Sequence, residues 1–328
     1  MRHWRPDRVR AVVVTAIALA ACVACSGEGG STATSSSAEP PATTGVTASA
    51  AAAVTTTLPA TSTTLGNTAH IEETLTAEQV AAELTAVERA AASGDPAVGV
   101  RQQLLYRYLS GHADFDGAVL AGVGDDVRPA VERIVRARQF SQQRAAANTN
   151  PTPPSETLPA WTIVEPAPIG ELLDDYQTAE ATTGVNWYWL AAIHLQETRM
   201  GRIIGTSSAG AVGPMQFLPS TWRQCCTGDP TVTRDAIIGA ATYLAQHGAP
   251  GDMPTALHAY NPSDPYVMTV TAFAENLRDN PKLLDVYRQW QVFYGTTAGT
   301  VRLPIGYSQA EPVPAANYLA GHPEDAAS

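Results

Sequence analysis

The sequence predicts a mainly α-helical protein in which a long N-terminal stretch precedes the folded part. From Thr76 onward apolar residues recur at helical spacing, and the alternation of apolar and polar residues that marks half-buried strands is absent. Residues 26–68 are rich in Ser, Thr, Ala and Pro and contain no aromatic residue, so they lack the side chains of a core. We therefore expect a disordered tether, over 22–69, ahead of the helices.

The N-terminus has the features of an export signal. Arginines precede an apolar run over 11–21, which is too short to span a bilayer and typical of a signal peptide. The run ends in LAAC, which resembles the bacterial lipobox, and the resemblance implies removal of residues 1–21 and a lipid on Cys22. The alternative is a secreted protein that is cut at the same small residues. Both interpretations predict that the mature protein lies outside the cytoplasm. The lipobox interpretation adds a lipid anchor in the cell membrane.

Two helical regions follow the tether. Thr76 and Gln79 form a predicted capping box at the start of a small helical module over 70–147, whose role the sequence does not indicate. A Pro-rich linker is predicted over 148–168. The larger helical domain is predicted over 169–295, and an irregular C-terminal tail over 296–328.

Charge and cysteine usage exclude some classes of function. The formal net charge is −11, which argues against a nucleic-acid partner because phosphate binding needs a basic surface. Cys225 and Cys226 are adjacent, which is too close for two ligands of a usual zinc site. A disulfide between these neighbours, pairing with Cys25, and two buried thiols all remain open. We expect neither a metal nor a cofactor.

Glu197 is the first candidate for chemistry. It lies near the end of an apolar helix, and burial raises the pKa of a carboxyl group, which keeps it protonated as a general acid near neutral pH. A solvated residue at a helix end is the alternative for this glutamate alone. His194 lies three residues earlier, at a spacing that suits two metal ligands, but no third ligand is evident.

Three motifs in order decide between these alternatives. Glu197-Thr198 is followed by the tetrapeptide GPMQ over 213–216 and by the tripeptide AYN over 259–261. This set resembles the soluble lytic transglycosylases, whose fold is related to goose-type lysozyme, and the variants are similar to those of actinobacterial lipoproteins. The resemblance covers about residues 185–280. Threonine and proline replace the usual Ser and Leu at Thr198 and Pro214.

The resemblance implies a role for each matching residue. Glu197 corresponds to the catalytic glutamate. The residues that correspond to substrate-binding positions are Ser207, Met215, Gln216, Tyr260, Asn261 and Tyr266. The bland alternative for Met215 is a core residue, since methionine is more often buried than exposed in a cleft.

The family's reaction uses a single carboxylate. The substrate is the peptidoglycan glycan strand, cut between N-acetylmuramic acid and N-acetylglucosamine with formation of a 1,6-anhydro ring. Most glycosidases need two carboxyl groups, but a substrate acetamido group can replace one of them. The alternatives are a hydrolytic muramidase of the goose-lysozyme type, and an envelope lipoprotein that binds glycan without cutting it.

Overall fold

The structure is a computed structural model that describes residues 69–71 and 74–327. Most of the regular structure in that range is helical, so the predicted mainly α-helical class is confirmed. The predicted signal peptide, Cys22 and all but the last residue of the predicted tether lie outside the described residues. Within the described range no helix carries an apolar stretch of the length that a bilayer crossing needs.

Among the described residues of the predicted helical module, four α-helices form. The first, α1 (Ala77–Ser93), begins at the predicted capping box, in which the Gln79 amide donates to Thr76 and the Thr76 amide donates to Gln79. It ends at Gly94, which has a left-handed φ of 89°. The others are α2 (Gly99–Gly111), α3 (Asp116–Gly122) and α4 (Arg128–Ala146). The sequence does not predict α3, because its 7 residues are too few to show a period.

Seven helices form the larger domain around one central helix. In chain order they are α5 (Ile169–Thr183), α6 (Trp187–Thr198), α7 (Pro219–Cys225), α8 (Thr233–Gln246), α9 (Met253–Tyr260), α10 (Asp264–Asp279) and α11 (Leu283–Arg288). Every residue of α6 from Leu190 to Thr198 is buried. A helix that is buried all round must lie inside the core, and here α5, α8 and α10 pack against it.

The two helical regions share one hydrophobic core. The helix α4 packs along α10, and α1 and α2 contact α11. Buried polar groups also cross this boundary: Trp290 Nε1 donates to Gln102 Oε1 over 3.1 Å, and Gln102 Nε2 donates to Glu88 over 3.0 Å. The segment predicted as a helical module therefore has no separate core within the described residues.

A second, smaller core is built from short strands that come mostly before and after the helical domain in the sequence, with one strand inside it. The strands are β1 (Thr157–Leu158), β2 (Thr162–Ile163), β3 (Ile203–Ile204), β4 (Val292–Thr296), β5 (Gly299–Leu303), β6 (Val313–Pro314) and β7 (Ala326–Ala327), and α12 (Ala315–Gly321) lies among them. They form antiparallel sheets in the orders β1-β6, β2-β3 and β4-β5-β7. Leu158, Trp161, Val301 and Tyr307 are buried between them.

These strands correct two of the predicted segments. The linker predicted over 148–168 contains β1 and β2, and the irregular tail predicted over 296–328 contains β5 to β7 and α12. Thr157 pairs with Pro314, far away in the sequence. Strands of two residues with distant partners, such as β1 and β6, leave no local alternation of apolar and polar residues, so a reading of the sequence alone misses them. The strands β4 and β5 pair locally as a hairpin, and sequence reasoning missed this hairpin as well.

Cys225 and Cys226 form a disulfide at the end of α7. Of the three arrangements that the sequence leaves open, the bond excludes two free thiols and pairing with Cys25. Both cysteines are half-buried and pack on the edge of the main core.

Candidate active site

Glu197 lies in the last turn of α6, and the backbone geometry at the end of this helix fixes its position. The chain leaves the helix through three left-handed residues, Arg199, Met200 and Gly201, with φ of 56°, 60° and 82°. The Thr198 hydroxyl donates to the Pro214 carbonyl over 2.6 Å and accepts from the Gly201 amide over 3.1 Å. The threonine at this motif position therefore links the end of α6 to the loop that carries the second motif.

The Glu197 side chain is a buried carboxyl group with one hydrogen-bond donor. Only 6% of the residue is exposed, and its Oε1 accepts from the Tyr266 hydroxyl over 2.8 Å. Burial raises the pKa of Glu197 to about 7, against the opposing effects of the Tyr266 hydrogen bond and the Arg199 charge. Near neutral pH the carboxyl group therefore exists in both protonation states. A group with this pKa can donate a proton as an acid and accept one as a base.

Two tyrosines lie beside this carboxyl group. Tyr260 ends α9 and Tyr266 lies in the first turn of α10, and their rings are stacked with centroids 6.5 Å apart. The Tyr260 hydroxyl donates to the Met215 carbonyl over 2.5 Å. Burial raises the pKa of both tyrosines well above the ordinary value of 10.0, so both remain protonated.

The loop over 207–217 closes on itself and presents Gln216. The Ser207 hydroxyl accepts from the Ala211 amide over 3.0 Å, and the backbones of Val212 and Phe217 form a bridge. Within that bridge Gln216 is left-handed, with φ of 50°, and its Nε2 donates to the Gly213 carbonyl over 2.9 Å. The Gln216 amide is half-buried, and its Oε1 has no hydrogen-bond donor among the described residues.

The prediction that the Met215 side chain contacts substrate is wrong. The residue has no exposed surface and belongs to the main core, which is the alternative that the sequence allowed. Its contribution to the site is the backbone carbonyl that Tyr260 binds.

The remaining predicted residues differ in how they relate to Glu197. Asn261 is 5% exposed, and its side-chain amide makes no hydrogen bond within the described part of the chain, which leaves it available to a ligand. Ser207 is half-buried and forms no hydrogen bond with Glu197 or Tyr266 in that part. The structure thus brings Tyr260 and Tyr266 to the glutamate and leaves Ser207 in a neighbouring loop.

His194 is not arranged as a metal ligand. Its Nδ1 is 2.8 Å from the Tyr176 hydroxyl, and complete burial lowers its pKa to about 3, so the imidazole is neutral. Among the described residues, the three potential ligands that do cluster are His322, Glu324 and Asp325. They lie in the β-rich region, where Asp325 is already bound by Arg302 and Tyr318.

Sequence reasoning missed the arginine that follows the glutamate. Arg199 is 9% exposed, and Nη1 of its guanidinium donates to the Leu195 carbonyl over 2.6 Å. Its position two residues after Glu197 was the available signal. The charge of a second arginine, Arg107 of α2, lowers the pKa of Arg199. Nothing in the sequence indicates this effect.

A known protein matches part of this chain. No protein-family model matches it, and no solved structure matches it. A stretch of 80 residues, 24% of the chain, is 34% identical to the membrane-bound lytic murein transglycosylase F of Thiobacillus denitrificans. The chain spans 17% of the length of that relative. The similarity supports a relationship to lytic transglycosylases over that stretch, the class that the three sequence motifs indicate.

Proposed function

We propose that the protein is a peptidoglycan lytic transglycosylase that cuts between N-acetylmuramic acid and N-acetylglucosamine in cell-wall remodelling, with Glu197 as acid and base. The observation that carries the proposal is the buried Glu197 carboxyl group, with a pKa of about 7 and a hydrogen bond from Tyr266. The three ordered motifs and the partial similarity to a lytic murein transglycosylase support it.

In the proposed reaction Glu197 first donates a proton and later accepts a different one. Protonated Glu197 first donates to the glycosidic oxygen, so that the C1–O4 bond breaks and N-acetylglucosamine leaves as an alcohol. The substrate's 2-acetamido oxygen stabilises the positive charge at C1 of muramic acid. The Glu197 carboxylate then removes the proton of the C6 hydroxyl, and O6 bonds to C1 to close the 1,6-anhydro ring. No water is consumed, and the glutamic acid is regenerated.

The polar groups around Glu197 suit a sugar ligand. We propose that Gln216, Tyr260 and Asn261 bind the glycan, and that Tyr266 both positions the carboxyl group and contacts substrate. Ser207 is proposed to contact the sugar from its loop rather than through Glu197. Hydroxyl and amide side chains of this kind pair with the hydroxyl and acetamido groups of amino sugars.

Replacement of Glu197 by glutamine tests the mechanism. Glu197→Gln keeps the shape and removes the proton donor, and we expect turnover to fall about a thousand- to ten-thousand-fold while glycan binding survives. Glu88→Gln is the matched control. Glu88 is also buried and also accepts from a tyrosine, Tyr106 over 2.6 Å, but it lies outside the site. We expect that control to retain turnover.

Mass spectrometry of the digested glycan decides the reaction type. Products of the parent protein should carry 1,6-anhydromuramic ends, which are lighter than reducing ends by the mass of one water. Reducing ends alone would identify a hydrolytic muramidase that uses the same glutamate. Unchanged turnover in Glu197→Gln would refute both enzymes, and glycan binding without any cleavage by the parent would leave a binding lipoprotein.

We further propose that Cys22 carries a lipid that anchors the protein on the outer side of the cell membrane. The short apolar run that ends in the lipobox supports this placement, and the tether would give the enzyme reach toward the wall. In cells that express Cys22→Ala, we expect the protein to leave the membrane fraction. Ser26→Ala, beside the same site, is the control and should stay there. Equal retention of the two variants would contradict the anchor.

A further inference from the structure

The chain that connects the end of α6 to the loop over 207–217 is fixed to the smaller core. This connection runs through residues 199–206 and contains β3, which pairs with β2 in an antiparallel sheet. The Val164 amide extends the pairing by donating to the Arg202 carbonyl over 2.9 Å. The path from the catalytic glutamate to Ser207 is therefore held by a segment that precedes the catalytic helices in the sequence.

Trp161 of that segment holds the last part of the path. Its Nε1 donates to the Thr206 carbonyl over 3.1 Å. Its ring also lies directly against the Gly205 backbone, since a Cβ on Gly205 would lie 2.1 Å from Trp161 Cδ1. Only 5% of Trp161 is exposed, and its ring meets that of Tyr294 edge to face with centroids 5.5 Å apart. A buried indole that is packed and hydrogen-bonded in this way has little freedom to move.

The Thr206 carbonyl and the Ser207 amide belong to one planar peptide unit. Trp161 binds the oxygen of this unit, and its N–H donates to the Ala211 carbonyl over 3.0 Å. The Ser207 carbonyl then accepts from the Gly210 amide over 2.9 Å, and the Ser207 hydroxyl accepts from the Ala211 amide over 3.0 Å. The indole N–H thus orients the peptide plane from which the turn at Ser207 starts.

We infer that Trp161 is a positioning residue for glycan binding: its indole N–H fixes the peptide plane between Thr206 and Ser207 and so holds Ser207 toward the strand. It acts through Ser207 and is itself buried away from substrate. The inference rests on the proposed function, in which Ser207 contacts the sugar. Its consequence is that the smaller core sets the affinity for glycan, whereas proton transfer by Glu197 is independent of it.

Removal of the indole N–H tests the inference. Trp161→Phe keeps an aromatic ring in the smaller core, and a Glu197→Gln background allows calorimetry with peptidoglycan glycan strands without cleavage. We expect the dissociation constant to rise about threefold to tenfold, as for loss of one hydrogen bond between neutral groups. In the cleaving protein KM should rise by a similar factor, while kcat changes by less than about twofold and the alkaline limb set by Glu197 stays in place.

Hydrogen exchange reports the state of the loop without any glycan. The Gly210 and Ala211 amides both donate to Ser207, so their exchange rates depend on how firmly Ser207 is held. We expect both amides to exchange about threefold faster or more in Trp161→Phe. A residue that only stabilised the whole fold would not affect this loop selectively.

Trp290→Phe is the matched control. Trp290 is 2% exposed, and its Nε1 donates to Gln102 Oε1 over 3.1 Å, but it lies in the main core. The control loses the same N–H, and we expect glycan binding and loop exchange to remain those of the background. Gly205→Ala is a second variant, because its Cβ displaces the indole from the loop side. It should weaken glycan binding as Trp161→Phe does, and it serves if Trp161→Phe does not fold.

The combined outcomes separate this inference from the proposed reaction. Unchanged glycan binding in Trp161→Phe would overturn the inference, whether or not the loop exchanges faster. An equal loss of binding in Trp290→Phe would also overturn it, because the effect would then be general destabilisation. A background protein that binds no glycan would overturn both proposals. A selective loss of binding, in a protein whose parent cuts no glycan, would refute the reaction and leave the positioning role of Trp161.

Discussion

At the scale of single residues, burial and hydrogen bonding act in opposite directions on Glu197. Desolvation raises the pKa of its carboxyl group, and the hydrogen bond from Tyr266 lowers it by stabilising the charged form. The balance is a pKa of about 7. The alkaline limb of the activity profile should therefore report the loss of the proton from this group.

Removal of the Tyr266 hydroxyl should move that limb to higher pH. Tyr266→Phe deletes the bond that stabilises the carboxylate, so the pKa of Glu197 rises and the active protonated form persists further. We expect a shift of about one pH unit in the profile of kcat/KM, since one pKa unit corresponds to about 1.4 kcal/mol. A steady-state assay from acid to alkaline pH measures it.

Tyr260→Phe is the control for deletion of a tyrosine hydroxyl in the same place. The Tyr260 hydroxyl donates to the Met215 carbonyl rather than to the glutamate. The alkaline limb of the kcat/KM profile of Tyr260→Phe should therefore coincide with that of the parent. A limb that does not move in Tyr266→Phe, or that moves equally in both variants, would show that the hydrogen bond does not set the pKa of Glu197.

The sequence predicts which residue types meet at the site better than which of them face outward. The Glu197, Tyr260 and Tyr266 side chains do lie together. Each of them belongs to a motif that is visible in the sequence. The side chain of Met215 points into the core, which its hydrophobicity already allowed. The charge of Arg107 acts on the pKa of Arg199 from a distant part of the sequence, and no local pattern reveals this effect.

At the scale of elements, the turn that presents Gln216 depends on a close backbone approach. Gly213 has φ of 76°, and a Cβ there would lie 1.8 Å from the Pro230 carbonyl oxygen. Gly210 in the same loop has φ of 82°, but no atom lies within 4 Å of its Cβ position. The two glycines share the left-handed backbone and differ in the space beside it.

This difference predicts unequal effects of alanine. Gly210→Ala meets only the strain of a left-handed alanine, about 1 kcal/mol in the free energy of unfolding. Gly213→Ala adds a clash with backbone, so we expect a loss of several-fold in turnover and a larger loss of stability, about 2–4 kcal/mol. Urea unfolding and a turnover assay measure both. Equal effects of the two variants would contradict a tight approach between Gly213 and Pro230.

Elements with a long local period were predictable, whereas strands of two residues with distant partners and the short hairpin β4-β5 were not. The helices α8 and α10 follow stripes of apolar residues, α6 is a nearly continuous apolar run, and α1 begins at a visible capping box. The strands β1 and β6 contain two residues each and exist only through their pairing across the chain. The Pro-rich composition of 148–168 concealed β1, because it is also typical of a linker.

At the scale of the whole molecule, the helices before the catalytic domain are part of its core. The sequence suggested a separate module because the Pro-rich segment lies between the two regions. The structure packs α4 along α10, and Tyr106, Ile134 and Phe273 line a small cavity between α2, α4 and α10. The buried Gln102 side chain joins Glu88 to Trp290 across the same boundary. Stability and catalysis should therefore depend on both regions together.

Two truncations test this dependence. A protein that begins at Ala69 keeps every described helix and the buried Ala69 and Ile71, so we expect the thermal midpoint and turnover of the parent. A protein that begins at Ala160 lacks α1 to α4, so it exposes the apolar face of α10 to water and leaves Trp290 Nε1 without its partner. Loss of several buried apolar side chains, at about 1.5–3 kcal/mol each, exceeds the net stability of an ordinary domain.

We therefore expect the protein that begins at Ala160 to aggregate or to unfold without a cooperative transition, and to cut no glycan. Size-exclusion chromatography, thermal melting followed by circular dichroism, and the turnover assay measure these outcomes. Addition of a separate peptide that spans 74–147 should restore part of the transition, because the missing surface is apolar and complementary to the exposed face. A monomeric Ala160 protein with the melting midpoint and turnover of the parent would show that the preceding helices are an independent module after all.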